Sequence, residues 1–317
     1  MAASDWPFPE RFAEREFVSE ISRRFATDDP RVHVGIGDDG AVLRTSMLTV
    51  AACDPVVEGV HFTRGDPVQL VGRKVVNRNL SDLAAMGARP SFLLVSLLLP
   101  DWLSNAGRAK LLRGIQTAAE AASCSVVGGD VARTPGPMVV TVTALGEAPK
   151  RPLRRDGLSA RDALHVTGPL GGSRLGRHLR FTPRVAEGRW LSEQVEATAA
   201  IDISDGLLMD LSRMLEASGE REGCPFGAEL SANTIPIAAA AVKAAKQSGE
   251  DPMTHALTDG EDYELLFGLR EELPEEGPLT GRSRRAIGFV TATPGIFLRD
   301  RRGRTRKLRV VGYEHDV

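Results

Sequence analysis

The chain has few cysteines, few aromatic residues and no long apolar run, and each shortage narrows what it can be. Its three cysteines, Cys53, Cys124 and Cys224, are widely and irregularly spaced. An odd count at such spacing argues against a disulfide framework and a zinc site, and fits a reducing, cytoplasmic setting. No stretch approaches the roughly 18 uninterrupted apolar residues of a membrane helix. The longest run, Phe92 to Pro100, has the length of a buried strand. The opening residues MAASDWPFPERFAERE hold no apolar signal core, so secretion is not expected. The formal net charge is only −2, which offers no global attraction to nucleic acid or to an anionic membrane. The arginine-rich segment from Arg299 to Arg309 reads as a solvated hairpin turning at Arg301-Arg302-Gly303. There is no GxxxxGK(S/T) phosphate loop, and GIGDDG lacks the spacing of a dinucleotide fingerprint.

What is present is a chain of 317 residues, 42% hydrophobic and 26% charged, enough for two ordinary cores. Phe17, Val18, Ile21 and Phe25 recur at helical spacing. A strand is expected over Met47 to Ala52, ending in Cys53-Asp54. Asp66-Pro67 should open a helix that runs to Met86 and stops at Gly87. SFLLVSLLL reads as a strand, 102–122 as a helix, and Ser125 to Val127 as a short strand ending in Gly128-Gly129-Asp130. Met138 to Gly146 alternates as a strand does. The proline- and charge-rich EAPKRPLRRDG, Glu147 to Gly157, reads as a linker. Beyond it come a strand at Ala163 to Thr167 and a strand-to-helix passage, AIDISDGLLMDLSRMLEASG, ending at Gly219. Strands and helices interleave in both halves, so the expected fold class is α+β (mixed α/β), with units at 1–148 and 149–317.

The chemistry lies in the aspartates. Asp38 and Asp39 sit among Gly35, Gly37 and Gly40; Asp54 is placed at a strand end, Asp82 near a helix end, Asp130 after a Gly-Gly pair, and Asp202 and Asp205 at a strand-to-helix junction. Any one of them also fits a helix cap or a turn. As a set they suggest carboxylates that converge, and converging carboxylates repel unless a cation joins them. Oxygen donors without paired His or Cys favour Mg²⁺, which commonly bridges carboxylates to phosphates. Glycines beside them would let backbone N–H groups approach phosphate oxygens.

GIGDDGAVL, DPVVEGVHF, NLSDLAAMGARP, GGDVARTPGP, DISDGLLMDL and DGEDYELLF occur in the order seen in thiamine-monophosphate kinases. The chain resembles that family from about Gly35 to Tyr313. The family belongs to the superfamily of aminoimidazole ribonucleotide synthetase, selenophosphate synthetase and the hydrogenase maturation dehydratase. NLSDLAAMGA together with GEDYEL is its distinctive combination.

The resemblance implies a two-domain aminoimidazole ribonucleotide synthetase-like architecture. The N-terminal unit would bind ATP and Mg²⁺ and dimerise; the C-terminal unit would complete the phosphate and substrate site. It implies several Mg²⁺ ions held by Asp39, Cys53, Asp54, Asp82, Asp130, Asp202 and Asp205. It places ATP at Gly129, Asp130, Arg155 and Ser204, and thiamine monophosphate at His61, Glu261 and Tyr313. No side chain is expected to act as nucleophile; catalysis would be metal-assisted. Cys53 and Ala52 stand where relatives carry hydroxyl residues, and Val131-Ala132 where a Thr-Thr pair is frequent. Read from the residues alone, His61 also fits a hydrogen-bonded core histidine, Glu261 a turn acid, Tyr313 a packing aromatic, Arg155 a solvated linker residue and Ser204 a helix cap. The alternatives are another ATP-using enzyme of the superfamily, of the selenophosphate synthetase or hydrogenase maturation type, or a catalytically silent nucleotide-binding protein. A selenophosphate synthetase usually shows a reactive Cys and a nearby Lys in a Gly-rich first segment, whereas residues 1–34 contain no Cys, Lys or Gly.

Overall fold

The computed structural model describes residues 20–36, 41–45 and 48–312. Asp38, Asp39 and Tyr313 lie outside the described residues, as do Phe17 and Val18. A two-stranded pair, β1 (Val32–Val34) and β2 (Val42–Leu43), precedes the first large sheet. That sheet contains β3 (Thr49–Val57), β4 (Arg89–Pro100), β5 (Ser125–Thr134) and β6 (Val139–Glu147), in the order β3-β6-β4-β5. Helices α1 (Val68–Ala85) and α2 (Asn105–Ala121) connect these strands.

A second sheet is built from β7 (Ala163–Val166), β8 (Ala199–Asp202), β9 (Gly227–Ser231), β10 (Leu265–Leu269), β11 (Gly288–Thr291), β12 (Gly295–Arg299) and β13 (Thr305–Lys307). Its order is β13-β12-β9-β11-β7-β10-β8, antiparallel except for the β12–β9 pair. Helices α3 (Val185–Trp190), α4 (Leu207–Glu222), α5 (Ala239–Ser248) and α6 (Pro252–Thr258) complete it. The mixed α+β class expected from the sequence is what the chain adopts.

Several elements run further than local patterns suggested. Strand β3 continues past Asp54 to Val57, because its whole length pairs with β6 from Thr49↔Glu147 to Val57↔Val139. Likewise β5 does not stop at its glycines: it pairs with β4 through Pro100↔Thr134. Gly129 is therefore mid-strand, and a Cβ there would lie 1.8 Å from the Val95 carbonyl oxygen. Asp66 does not cap α1; it accepts from Thr63 N and Oγ1 (2.7 and 3.0 Å), and Pro67 occupies the cap position. Helix α4 passes Gly219 and ends at Gly223, whose φ is 70°.

Helix α1 positions the site. It packs on β3, β6 and α2 on one side and on β8 and α3 on the other. Val71, Val75, Val76, Leu80 and Leu83 join the first core, while Ala84 and Ala85 join a cluster with Leu153, Trp190, Leu265 and Phe267. Each fully buried Val or Leu contributes about 1.5–3 kcal/mol. The crossing with α2 is close enough to demand glycine on both helices. A Cβ on Gly72 would sit 2.3 Å from Leu111 O, and one on Gly114 would sit 1.9 Å from Gln69 O. Overpacking of this kind costs about 1–3 kcal/mol. Gly114→Ala is accordingly expected to lower the melting temperature by several degrees; calorimetry showing an unchanged Tm would refute this account of the crossing.

Candidate active site

Because α1 is wrapped by both sheets, its polar residues need buried partners. Asn79 donates from Nδ2 to Asp54 O (3.1 Å) and accepts from Asp54 N at Oδ1 (2.8 Å), tying the helix to β3. Ser81 donates to Asp202 Oδ2 across the interface with β8 (2.8 Å). Asp82 completes the turn. The NLSD motif thus gathers Asp54, Asp82 and Asp202 from three elements in both halves of the chain. Burial, then the charges of Asp202 and Asp54, push the Asp82 carboxyl up to about 8. Burial foremost raises Asp202 as well; Ser81 and Arg155 oppose it, and Asp54 adds to it. These carboxylates share one electrostatic environment, and among the described residues the cations acting on them are Arg78, whose Nε donates to Asp54 Oδ2 (2.7 Å), and, through its field, Arg155.

Two cavities are lined by residues of these motifs. One, of about 450 Å³, is lined by Ala52, Asp82, Met86, Arg155 and Asp202 among others. The second, of about 410 Å³, is lined by His61, Arg78, Ser204, Asp205, Glu261 and Tyr263 among others. Asp202 faces the first, and Ser204 and Asp205, two and three residues further along, face the second.

The walls of the second cavity are held by a buried ammonium. Lys74 is fully buried; it donates to His61 O (2.6 Å) and Glu261 Oε1 (2.5 Å), and its ammonium stands 2.8 Å from His178 Nδ1, which also lies 3.2 Å from Glu261 Oε2. Burial would raise the Glu261 carboxyl, but His178 and Lys74 outweigh it and hold Glu261 down to about 2. Glu261 and Tyr263 both adopt positive φ (64° and 53°). That alternation lets four consecutive side chains, Glu261 to Glu264, all turn inward. Each acid then serves a different anchor. Asp262 accepts from Gly171 N (2.7 Å) and Ser173 Oγ (2.6 Å); Glu264 accepts from Thr167 Oγ1 and Arg184 Nε (both 2.7 Å). Tyr263 stacks on Phe181, with ring centroids 4.1 Å apart.

Other anticipated residues fall differently. His61 is buried, and its Nδ1 accepts from Val57 N (3.1 Å), so it is a hydrogen-bonded core histidine that also lines the cavity. Cys53 alternates with Asp54 along β3; its thiol lies on the other face, accepting from Thr143 Oγ1 (3.2 Å), and cannot join the Asp54 group through sulfur. Asp130 is exposed on β5, the edge strand opposite β3. Two strands intervene, so it stands roughly 14 Å from the Asp54 edge at about 4.8 Å per strand. Arg155 is exposed, yet its charge reaches Asp82 and Asp202. Ser204 does not cap α4: its N–H and that of Asp205 donate to Asp210 Oδ2 (3.0 Å each), which removes two donors from the expected anion-binding helix end. Asp205 itself pairs with Arg213 (2.5 Å).

Sequence reasoning missed Lys74, Arg78, Asn79 and His178. A signal existed for two of them: Lys74, Arg78 and Asp82 recur at intervals of four on one helix face. Among the described residues, no three carboxylate, His or Cys side chains stand close enough to hold an ion unaided. The donor set still suits Mg²⁺, which keeps several waters and is held by one or two carboxylates plus substrate phosphates rather than by a protein cage.

Comparison with known proteins decides the family. Residues 37–148 match the model of the AIR synthase related protein, N-terminal domain. A thiamine-monophosphate kinase of Rhodopirellula baltica is 39% identical, over 95% of this chain and 97% of that one. The chain belongs to the thiamine-monophosphate kinase family. It is a kinase-class enzyme, and other members share its shape: the structure of AaThiL complexed with AMPPCP and TMP superposes with a TM-score of 0.72 at 27% identity, covering 98% of this chain and all of that one. Hydrogenase maturation protein HypE in complex with ATP reaches a TM-score of 0.75 at 18% identity over 96% of this chain and 95% of that one, which shows a common fold alone. No helix among the described residues is long and apolar enough to cross a membrane.

Proposed function

We propose that the chain transfers the γ-phosphoryl group of ATP to the phosphate of thiamine monophosphate, giving thiamine diphosphate. One observation carries the reading: Asp82 and Asp202 share one cavity wall and lie in the field of Asp54, so carboxylates from both halves of the chain act on one another there. ATP is assigned to the cavity with Arg155, whose guanidinium would neutralise phosphate charge, with Gly129 and Asp130 contributing and Ser204 reaching its phosphates from the second cavity. Thiamine monophosphate is assigned to the cavity of His61 and Glu261, and Tyr313 is assigned to its binding as well. Bound Mg²⁺, held by Asp54, Asp82, Asp202 and Asp205 with Asp39 and Asp130, would cancel the repulsion between the two phosphates. Cys53 would contribute only through its backbone. The acceptor phosphate is already an anion, so no general base is assigned.

Residues 1–148 would form the nucleotide-binding and dimerisation unit and 149–317 the unit that completes the site, in a cytoplasmic homodimer. The four-stranded sheet supports dimerisation: one face is covered by α1 and α2, and the other carries the half-buried Leu94, Leu98 and Leu145. Closing two such sheets into a barrel would bring the β5 edge of one copy, with Asp130, to the β3 edge of the other. Sedimentation velocity showing only monomer at micromolar concentration would remove that arrangement.

The defining test is ADP release coupled to a chromogenic readout, with and without thiamine monophosphate. Turnover that requires this acceptor supports the proposal. Turnover only with another acceptor points to a different activity of the superfamily, and ATP binding without turnover to a silent nucleotide-binding protein.

The raised Asp82 carboxyl adds a pH prediction. Its folded-state value of about 8 exceeds the ordinary 3.8. Its contribution to stability is therefore complete below the ordinary value and lost as pH rises through the folded one. Without metal, the protein is expected to melt lower at about pH 9 than at about pH 6, and Mg²⁺ to recover more at the higher pH. Scanning fluorimetry showing equal Mg²⁺ shifts at both pH values would contradict it.

A further inference from the structure

Arg78 touches both halves of the machinery. Its Nε donates to Asp54 Oδ2 at 2.7 Å, and its side chain lines the cavity of His61, Ser204, Asp205 and Glu261. A structural role alone does not account for it, because Asn79, the next residue, already ties α1 to β3 with two hydrogen bonds to the Asp54 backbone. What Arg78 adds is charge. It is the cation paired with Asp54, and its charge also acts on Asp82 and Asp202.

We propose that Arg78 is a place-holding cation that changes partners. It neutralises Asp54 while no metal is bound, is released when a divalent cation takes that carboxylate, and then grips the phosphate of the ligand in the neighbouring cavity. The inference rests on the kinase reading above and adds a residue to it. A guanidinium and a divalent cation compete for the same carboxylate oxygens, and they repel each other once both are near. The planar fork of arginine matches a phosphate with two parallel hydrogen bonds. Helix α1 is clamped on both sides, so the exchange needs only rotation of the side chain.

The proposal predicts two effects of opposite sign in the full-length protein. Arg78→Met should bind Mn²⁺ alone about threefold to tenfold more tightly, by electron paramagnetic resonance titration without nucleotide, since its competitor is gone. The same variant should bind thiamine monophosphate about tenfold more weakly, by calorimetry with AMPPCP and Mg²⁺ present, since a charged hydrogen bond is lost. Arg78→Lys, which keeps the charge and the fold, should fall between wild type and Arg78→Met in both. If both affinities fall together, Arg78 is only a structural tie and the proposal is overturned. Unchanged Mn²⁺ affinity, or unchanged affinity for thiamine monophosphate, overturns it equally. A wild-type chain that binds neither Mn²⁺ nor thiamine monophosphate overturns the kinase reading, and this inference with it.

Discussion

Asp202→Asn is expected to reduce turnover by about a hundredfold to a thousandfold while leaving the unliganded protein as stable as wild type or more so. Asp202 is almost wholly buried, its charge is disfavoured there above all by burial, and it repels Asp54. The amide keeps the shape and can still accept from the Ser81 hydroxyl. It removes a charge that the folded chain tolerates poorly without a cation. The loss in turnover follows because fixed charges aimed at a transferring phosphoryl group supply much of the rate, and removing one such group typically costs about that factor. Steady-state kinetics and thermal melts on one preparation test both halves. A variant that loses stability and activity together would show that Asp202 serves packing. Full activity would show that it does not meet the reacting phosphates.

Lys74→Met carries the other large effect. Its ammonium sits in a site with no access to water and donates to His61 O and Glu261 Oε1. Burial foremost disfavours that charge, Glu261 opposes it only in part, and Arg78 and Arg174 add to the disfavour. Removing one partner of a buried pair leaves the other uncompensated, at a cost of about 3–5 kcal/mol. Urea denaturation is expected to show a loss of that order. Adding Glu261→Gln to Lys74→Met should recover a good part of it, because the stranded carboxylate disappears. Thiamine monophosphate binding should not recover, because the cavity wall has lost both its carboxylate and the group that aims it. If the double variant is no more stable than Lys74→Met, the ion pair is not what holds this interface. If it binds substrate normally, Glu261 does not line the substrate site.

Both experiments bear on residues whose roles differ in how far they could be read in advance. The aspartates stood out because local patterns placed them beside glycines or at expected element ends, in segments that resemble a known family. The alternation of β3 was also local information: with Asp54 on the helix-facing side, Cys53 has to point the other way, and period-2 geometry already implied it. By contrast, the pairing of β5 with β4 through its glycines was hidden, since a Gly-Gly pair resembles a turn until the neighbouring Val95 carbonyl fills the space a Cβ would need. The inward turn of all four side chains from Glu261 to Glu264 was hidden too, because two residues there take positive φ under restraint from Ser204 and Ile203 carbonyls that accept from Glu261 N and Tyr263 N.

Local order settled what neighbouring residues can settle: the mixed class of the fold, the helices and strands with clear periodicity, and the stock of carboxylates available for a metal. These depend on side chains a few positions apart, which any short window contains. Tertiary structure alone decided which charges share a space. Lys74 and Glu261 are separated by 187 positions, as are Ser81 and Asp202 by 121. Coulomb interactions and desolvation act through distance in space, and that distance exists only once both sheets have closed on α1.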